Sequence, residues 1–302
     1  MSATKAKAKN SPGLFSTLKT AVSRGRRLVV IGVFLAIVGI GWWLSWNRVR
    51  DRVLSDGDYH LNPREMVITP LPPWIHADVK TEVIRDASLD GSLSILDDDL
   101  TKRVANAFSL HPWVAKVQRV SKHHPARVEV ELTYRRPVAM VEVSGGLMAI
   151  DAAGTLLPSE DFSQAEAKKY PRVARIESHP VGLFGAPWGD VHVTGAAQIA
   201  AALGDRWQPL KLYRVLAPLR PGASPDVDGY TYELTTHAGT RIIWGRPPGS
   251  EPTGELSALS KVRLLEQIAA QQGSLDSIGS PIDLRSGDAA AARTAVKPPS
   301  GS

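Results

Sequence analysis

The chain of 302 residues contains no cysteine, which excludes structural disulfides, thiolate metal sites and cysteine nucleophiles while leaving the compartment open. It also lacks the sequence signatures of several enzyme classes. No HExxH spacing, calcium loop, GxSxG elbow or phosphate-cradling glycine loop occurs. An excess of basic residues on the folded part is missing too. Seven of the 36 basic residues (Lys5, Lys7, Lys9, Lys19, Arg24, Arg26 and Arg27) lie in residues 1–27, where there is no acid, so the rest of the chain carries 29 against 30 acidic residues. The net charge of +6 therefore belongs to a tail, and a nucleic-acid-binding face is not expected. Neither a cofactor nor a small-molecule substrate is indicated.

What is present begins with Leu28 to Trp46, nineteen residues without a charge. As a helix rising about 1.5 Å per residue they span a hydrocarbon core about 30 Å thick. Trp42, Trp43 and Trp46 stand at its far end, suited to the headgroup interface because the ring is apolar and the indole N–H seeks a polar partner. A cleaved signal peptide would have a shorter apolar stretch and a small-residue cleavage site, and none of the A-x-A kind follows Trp46. A core helix would carry a polar stripe. The basic flanks favour a cytoplasmic N-terminus, with Arg48, Arg50, Arg52 and Arg64 the weaker competitors on the other side. The expectation is a single-pass protein: tail 1–27, transmembrane helix 28–46, juxtamembrane linker 47–74, and two folded parts outside the cytoplasm.

The first folded part is expected at 75–136. Val79, Thr81 and Val83 alternate with polar residues as a strand does. Asp97 to Asp99 precede Leu100, Val104, Ala107 and Phe108, an apolar stripe at helical spacing with acids at its N-terminal end. Val114 to Val120 and Arg127 to Arg135 follow as strands, the second with clear alternation, giving strand, helix, strand, strand. The second part, 137–292, is expected to be a mainly antiparallel β domain with flanking helices. It starts with strands separated by Gly145-Gly146 and Ala152-Ala153-Gly154, and Thr194 caps a helix carrying Ala196, Ile199, Ala200 and Leu203. Strands follow at Lys211 to Leu216, Tyr230 to Leu234 and Arg241 to Trp244. A last helix, about Glu255 to Gln271, buries Leu256, Leu259, Val262, Leu265, Ile268 and Ala269, before a final strand at Pro281 to Arg285 and a tail, 293–302. The class is α+β. Trp113, Trp207 and Trp244 are expected in cores, and Trp74 and Trp188, in Pro/Gly-rich loops, at the surface.

Several stretches resemble one family. His111-Pro112-Trp113-Val114, Val117 and Val120, His124-Pro125, Val128-Glu129-Val130 and Arg135-Arg136-Pro137-Val138-Ala139 are similar to successive motifs of the FtsQ/DivIB bacterial cell-division proteins. So are Ala149 to Leu156, Trp244-Gly245-Arg246, Lys261 to Leu265 and Ile282-Asp283-Leu284-Arg285. The resemblance implies a membrane-proximal POTRA domain of β-α-β-β type, then a β domain. It also implies a non-enzymatic scaffold of the divisome in the bacterial inner membrane, at the septum, that binds FtsB/FtsL-type single-pass proteins and links early division proteins to septal wall synthesis. The binding mode would be β-addition at an edge strand formed by Ile282, Asp283, Leu284, Arg285, Ser286 and Gly287. Ser286 stands where the family usually has an aromatic residue, and His124 where it usually has tryptophan. A membrane-anchored hydrolase and a POTRA-containing transport or assembly protein are the competing readings.

Overall fold

The computed structural model describes residues 30–49, 59–91, 93–219 and 230–286. The tail 1–27, Arg50 and Arg52 of the basic flank, Gly287 of the expected edge and the tail 293–302 lie outside the described residues. The chain divides into two compact units, one of Met1–His60 with His124–Ala126 and one of Leu61–His123 with Arg127–Ser302.

In the first unit the helix α1, Val30–Val49, is 20 residues long and long and apolar enough to cross a membrane. Its apolar side chains are not covered by the protein. Trp42, Trp43 and Trp46 are 73%, 62% and 60% exposed and stand in its last two turns.

The second unit opens with short strands β1 (His60–Leu61, entered from the first unit), β2 (Val67–Ile68) and, further on, β3 (Leu93–Ser94). Regular structure thus starts inside the segment that the composition reads as a spacer, because Leu61 and Met66 supply apolar side chains that are buried. Between β2 and β3, residues Val79–Asp86 form helix α2, not a strand. Val79 and Val83 are four apart as well as alternating, so they satisfy both periods. The helix is decided by Asp78, whose carboxylate accepts from the Thr81 amide at 3.2 Å and the Thr81 hydroxyl at 2.7 Å, and by buried Ile84. Those hydrogen bonds hold the Asp78 carboxyl below its ordinary value, first through the Thr81 hydroxyl. A group lowered in this way stabilises the fold above its ordinary pKa and ceases to as pH falls through the lowered value. Asp78→Ala is therefore expected to cost about 1 kcal/mol near pH 7. The difference from wild type should shrink below about pH 4 in urea unfolding of the full chain in micelles.

Helix α3, Leu100–Ser109, buries Leu100, Val104, Ala107 and Phe108 as expected. Asp99 makes no side-chain cap; Asp97 accepts from the Asp99 amide at 2.9 Å. Strands β4 (Val114–His123) and β5 (Arg127–Tyr134) pair antiparallel, and two register shifts in β4 explain its imperfect alternation. β2 pairs parallel with β5, giving the order β2-β5-β4. From β2 onward the first folded part therefore runs β2, α2, β3, α3, β4 and β5, with the short β3 outside the three-stranded sheet. Tyr134 donates to Thr69 O at 2.7 Å, and burial pushes its phenol up to about 12.

Seven further strands form one sheet: β6 (Pro137–Val143), β7 (Gly146–Asp151), β8 (Arg172–Ala174), β9 (Leu212–Leu216), β10 (Tyr232–Thr236), β11 (Arg241–Gly245) and β12 (Ile282–Asp283). The order is β12-β11-β10-β9-β8-β6-β7. β6/β7, β9/β10 and β10/β11 are antiparallel, whereas β6/β8, β8/β9 and β11/β12 are parallel. The sheet is mixed and not mainly antiparallel: connections that contain helices return the chain in the same direction. Thr155 to Leu157 makes isolated bridges, not a full strand. The short helix α4 is Gln164–Ala167.

One cross-strand row, Val141, Val173, Val215, Leu234, Ile242 and Ile282, is in register across six strands and buried throughout. Helices α5 (Val191–Leu203) and α6 (Ala258–Gln272) share this core. α5 begins at Asp190, earlier than the expected Thr194 cap, and the Asp190 carboxylate accepts from the His192 amide at 2.8 Å. Gly195 of α5 has no room for a side chain: a Cβ would lie 2.2 Å from the Tyr232 hydroxyl, which donates to His192 O. On α6, Leu259 is 57% exposed, contrary to expectation, while Lys261 is fully buried. Trp113, Trp207 and Trp244 are buried as expected. Trp188 is buried as well, because the 178–190 loop folds its ring inward. Trp74 is half-buried, its indole donating to Arg135 O at 3.0 Å.

Candidate functional site

β12 is the last strand at one edge of the seven-stranded sheet. Its inner side is fixed by Ile282 and Leu284, 2% and 0% exposed, and by the Leu284 amide donating to Ile243 O at 2.9 Å. Backbone polar groups alternate along an extended strand, so the N–H and C=O of Asp283 face outward from β11. The exposed edge is short. The Arg285 amide donates back to Asp283 Oδ1 at 3.0 Å, and Arg285 O accepts from the Leu256 amide at 3.0 Å, so the chain beyond Asp283 is already occupied. Of the expected edge residues, Ile282 and Asp283 are strand, Leu284 points into the core, and Arg285 and Ser286 form a bend. The Arg285 guanidinium is paired with the Asp283 carboxylate at 2.7 Å. Burial raises the Asp283 carboxyl, but the Arg285 side chain and amide outweigh it and hold the carboxyl below its ordinary range.

What holds this edge was not singled out from the sequence. Lys261 Nζ, completely buried, donates to Glu255 Oε1 at 2.5 Å and lies 5.1 Å from the centroid of the Trp244 ring. The same Glu255 oxygen accepts from the Arg246 amide at 2.8 Å. Gly245 is at φ +92° directly beneath, and a Cβ there would be 2.2 Å from Glu255 Oε1. The end of β11, the start of α6 and, through the Leu256–Arg285 bond, the end of β12 are thus tied to one buried ion pair. The signal was available: Lys261, Leu265 and Ile268 share one helical face.

The three-stranded and seven-stranded sheets of the second unit meet around Arg135. Its amide donates to Trp113 O at 2.8 Å, and its guanidinium pairs with Asp151 at 2.9 Å. Trp113 Nε1 donates to Asp161 Oδ2 at 2.7 Å. Two histidines are held in ordinary contacts: His111 is buried, with Nε2 3.1 Å from Glu82 and Nδ1 accepting from the Trp113 amide, and His123 lies 3.4 Å from Glu129.

No family model matches the chain. A curated relative does: the Cell division protein FtsQ of Anaeromyxobacter sp. (strain K), 32% identical over 120 residues, 38% of this chain. The match covers 33% of the relative's own length.

Proposed function

We propose that the chain is a bitopic scaffold of bacterial cell division, anchored in the inner membrane by α1 with its N-terminus cytoplasmic and its folded parts outside. In this reading the three-stranded sheet with α2 and α3 is a POTRA domain, and the part from Pro137 onward is a β domain that receives an FtsB/FtsL-type partner. The partner adds a segment to the β12 edge, with the bilayer interface held by Trp42, Trp43 and Trp46. The observation that carries it is the edge itself: a strand buried on its inner side, with the Asp283 backbone turned outward.

A proline at Leu284 would remove the bond to Ile243 and disturb a core position, so it does not test the edge alone. Asp283→Pro removes the outward N–H and leaves the Leu284 bond. We expect it to weaken capture of the partner at least tenfold with the melting temperature little changed, while Asp283→Asn retains capture. Unchanged capture by a folded Asp283→Pro protein would refute pairing at this edge. The division-protein reading would remain open to truncation and co-purification.

A further inference from the structure

The sheet face opposite α5 and α6 carries a second candidate surface. Next to the buried core row runs the row Met140, Arg172, Arg214, Thr235 and Arg241, in register from β6 to β11. Three of its five members are arginine. Beside it the adjacent row on the same face, Ala174, Leu216, Glu233, Ile243 and Asp283, places Glu233 opposite the arginines. The charges form two groups. Glu142 lies between Arg172 at 3.5 Å and Arg214 at 3.0 Å, and Glu233 lies between Arg175 at 3.3 Å and Arg241. Each carboxylate is shared by two guanidinium groups, so each group keeps one positive charge.

The arrangement in depth decides what the surface offers. The Glu233 side chain is 2% exposed and that of Glu142 26%, whereas those of Arg214, Arg175 and Arg241 are 38%, 35% and 47% exposed. Glu233 sits below its guanidinium groups and orients them; Arg172, 22% exposed at the side chain, is level with Glu142, and Arg214, Arg175 and Arg241 are the more open, available for bidentate contact with other carboxylates. Arg175 reaches Glu233 from a left-handed backbone, φ 66°, a conformation that a non-glycine residue keeps only where its surroundings hold it. The register shift at Thr235/Thr236 brings Tyr213 onto the row, with Arg172 and Arg214 at 5.3 and 4.7 Å from its ring centroid. At the β6 end the face leads into a cavity of about 630 Å³, lined by Met140, Leu147, Phe162 and Lys168, with Arg172 at its wall.

We propose that this face docks an extended acidic segment of a partner protein. Its carboxylates pair with Arg172, Arg214 and Arg241, and an apolar side chain beside them enters the cavity next to Met140 and Phe162. The dimensions agree. Strands about 4.8 Å apart place Arg172 and Arg241, three strands apart, about 14 Å from each other, and acids four residues apart in an extended chain are about 13 Å apart. The segment lies across the strands, so this contact is separate from pairing at the β12 edge and does not depend on it.

The test is fluorescence anisotropy of the full chain in nanodiscs with a fluorescein-labelled peptide, Leu-Thr-Glu-Thr-Glu-Thr-Glu, and the same peptide with Gln for every Glu. Expected is binding of the acidic peptide that weakens steeply with salt. A further tenfold or greater loss is expected in Arg172→Gln with Arg214→Gln, and none in Lys5→Gln with Lys7→Gln and Lys9→Gln. Equal binding of the Gln peptide, retention in the arginine variant, or loss in the tail variant would overturn the proposal. If the arginine variant does not fold, a diazirine on the peptide's leucine gives the answer in wild type. Crosslinks at Met140, Leu147 or Phe162 support the site, and crosslinks confined to other surfaces refute it.

Discussion

Lys261→Ala is expected to destabilise the folded part by about 3–5 kcal/mol, the cost of leaving one member of a buried ion pair without its partner. Lys261 is fully buried and Glu255 is 7% exposed at the side chain, so water cannot replace the lost ammonium. Glu255 would keep only the Arg246 amide on the oxygen that now serves both. Lys261→Met with Glu255→Gln removes both charges and retains an acceptor for that amide, so it should recover most of the loss. Urea unfolding followed by tryptophan fluorescence measures both. Hydrogen exchange in 282–286 adds a local readout, because Leu256 follows Glu255 and donates to Arg285 O. Faster exchange there in a still-folded Lys261 variant is the expected sign that the pair positions the edge. A single variant within about 1 kcal/mol of wild type would mean that the pair contributes little beyond packing.

Trp188→Ala is expected to cost a comparable amount, about 3–5 kcal/mol, through the cavity left by a large buried ring. The side chain also begins a polar chain: its indole donates to the Ser178 hydroxyl at 3.1 Å, and that hydroxyl donates to the Asp190 carboxylate at 2.5 Å. Burial raises the Asp190 carboxyl, but the Ser178 hydroxyl and the His192 amide outweigh it and hold the carboxyl below its ordinary range. Trp188→Phe keeps much of the packing and loses the first bond, so a loss nearer 1 kcal/mol is expected. Thermal unfolding of both variants separates the two contributions. Equal losses would show that the indole N–H, and not the ring volume, sets the stability.

The elements whose pattern satisfies only one period were legible from the sequence. β5 alternates cleanly and α3 has its stripe and its acids, and both form where expected. α2 was misread because Val79 and Val83 fit strand and helix alike, and the deciding Asp78–Thr81 contact is a matter of three-dimensional geometry. The mixed sheet was hidden for a different reason: strand order and direction depend on which way each connection returns, and alternation within a strand says nothing of its neighbour. The arginine groups illustrate the same limit. Arg172, Arg214 and Arg241 are separate in sequence and become one row only once the register is known. Lys261 is the opposite case, since its place on an apolar helical face already required a buried partner.

The most direct test of the scaffold reading is co-purification with the tagged full chain from detergent-solubilised membranes, followed by mass spectrometry, with the Asp283→Pro chain as its comparison. The account predicts recovery of small single-pass coiled-coil proteins by the wild-type chain, and reduced recovery by the variant. Absence of any such protein, at a sensitivity that detects a known membrane complex, would contradict the proposed role.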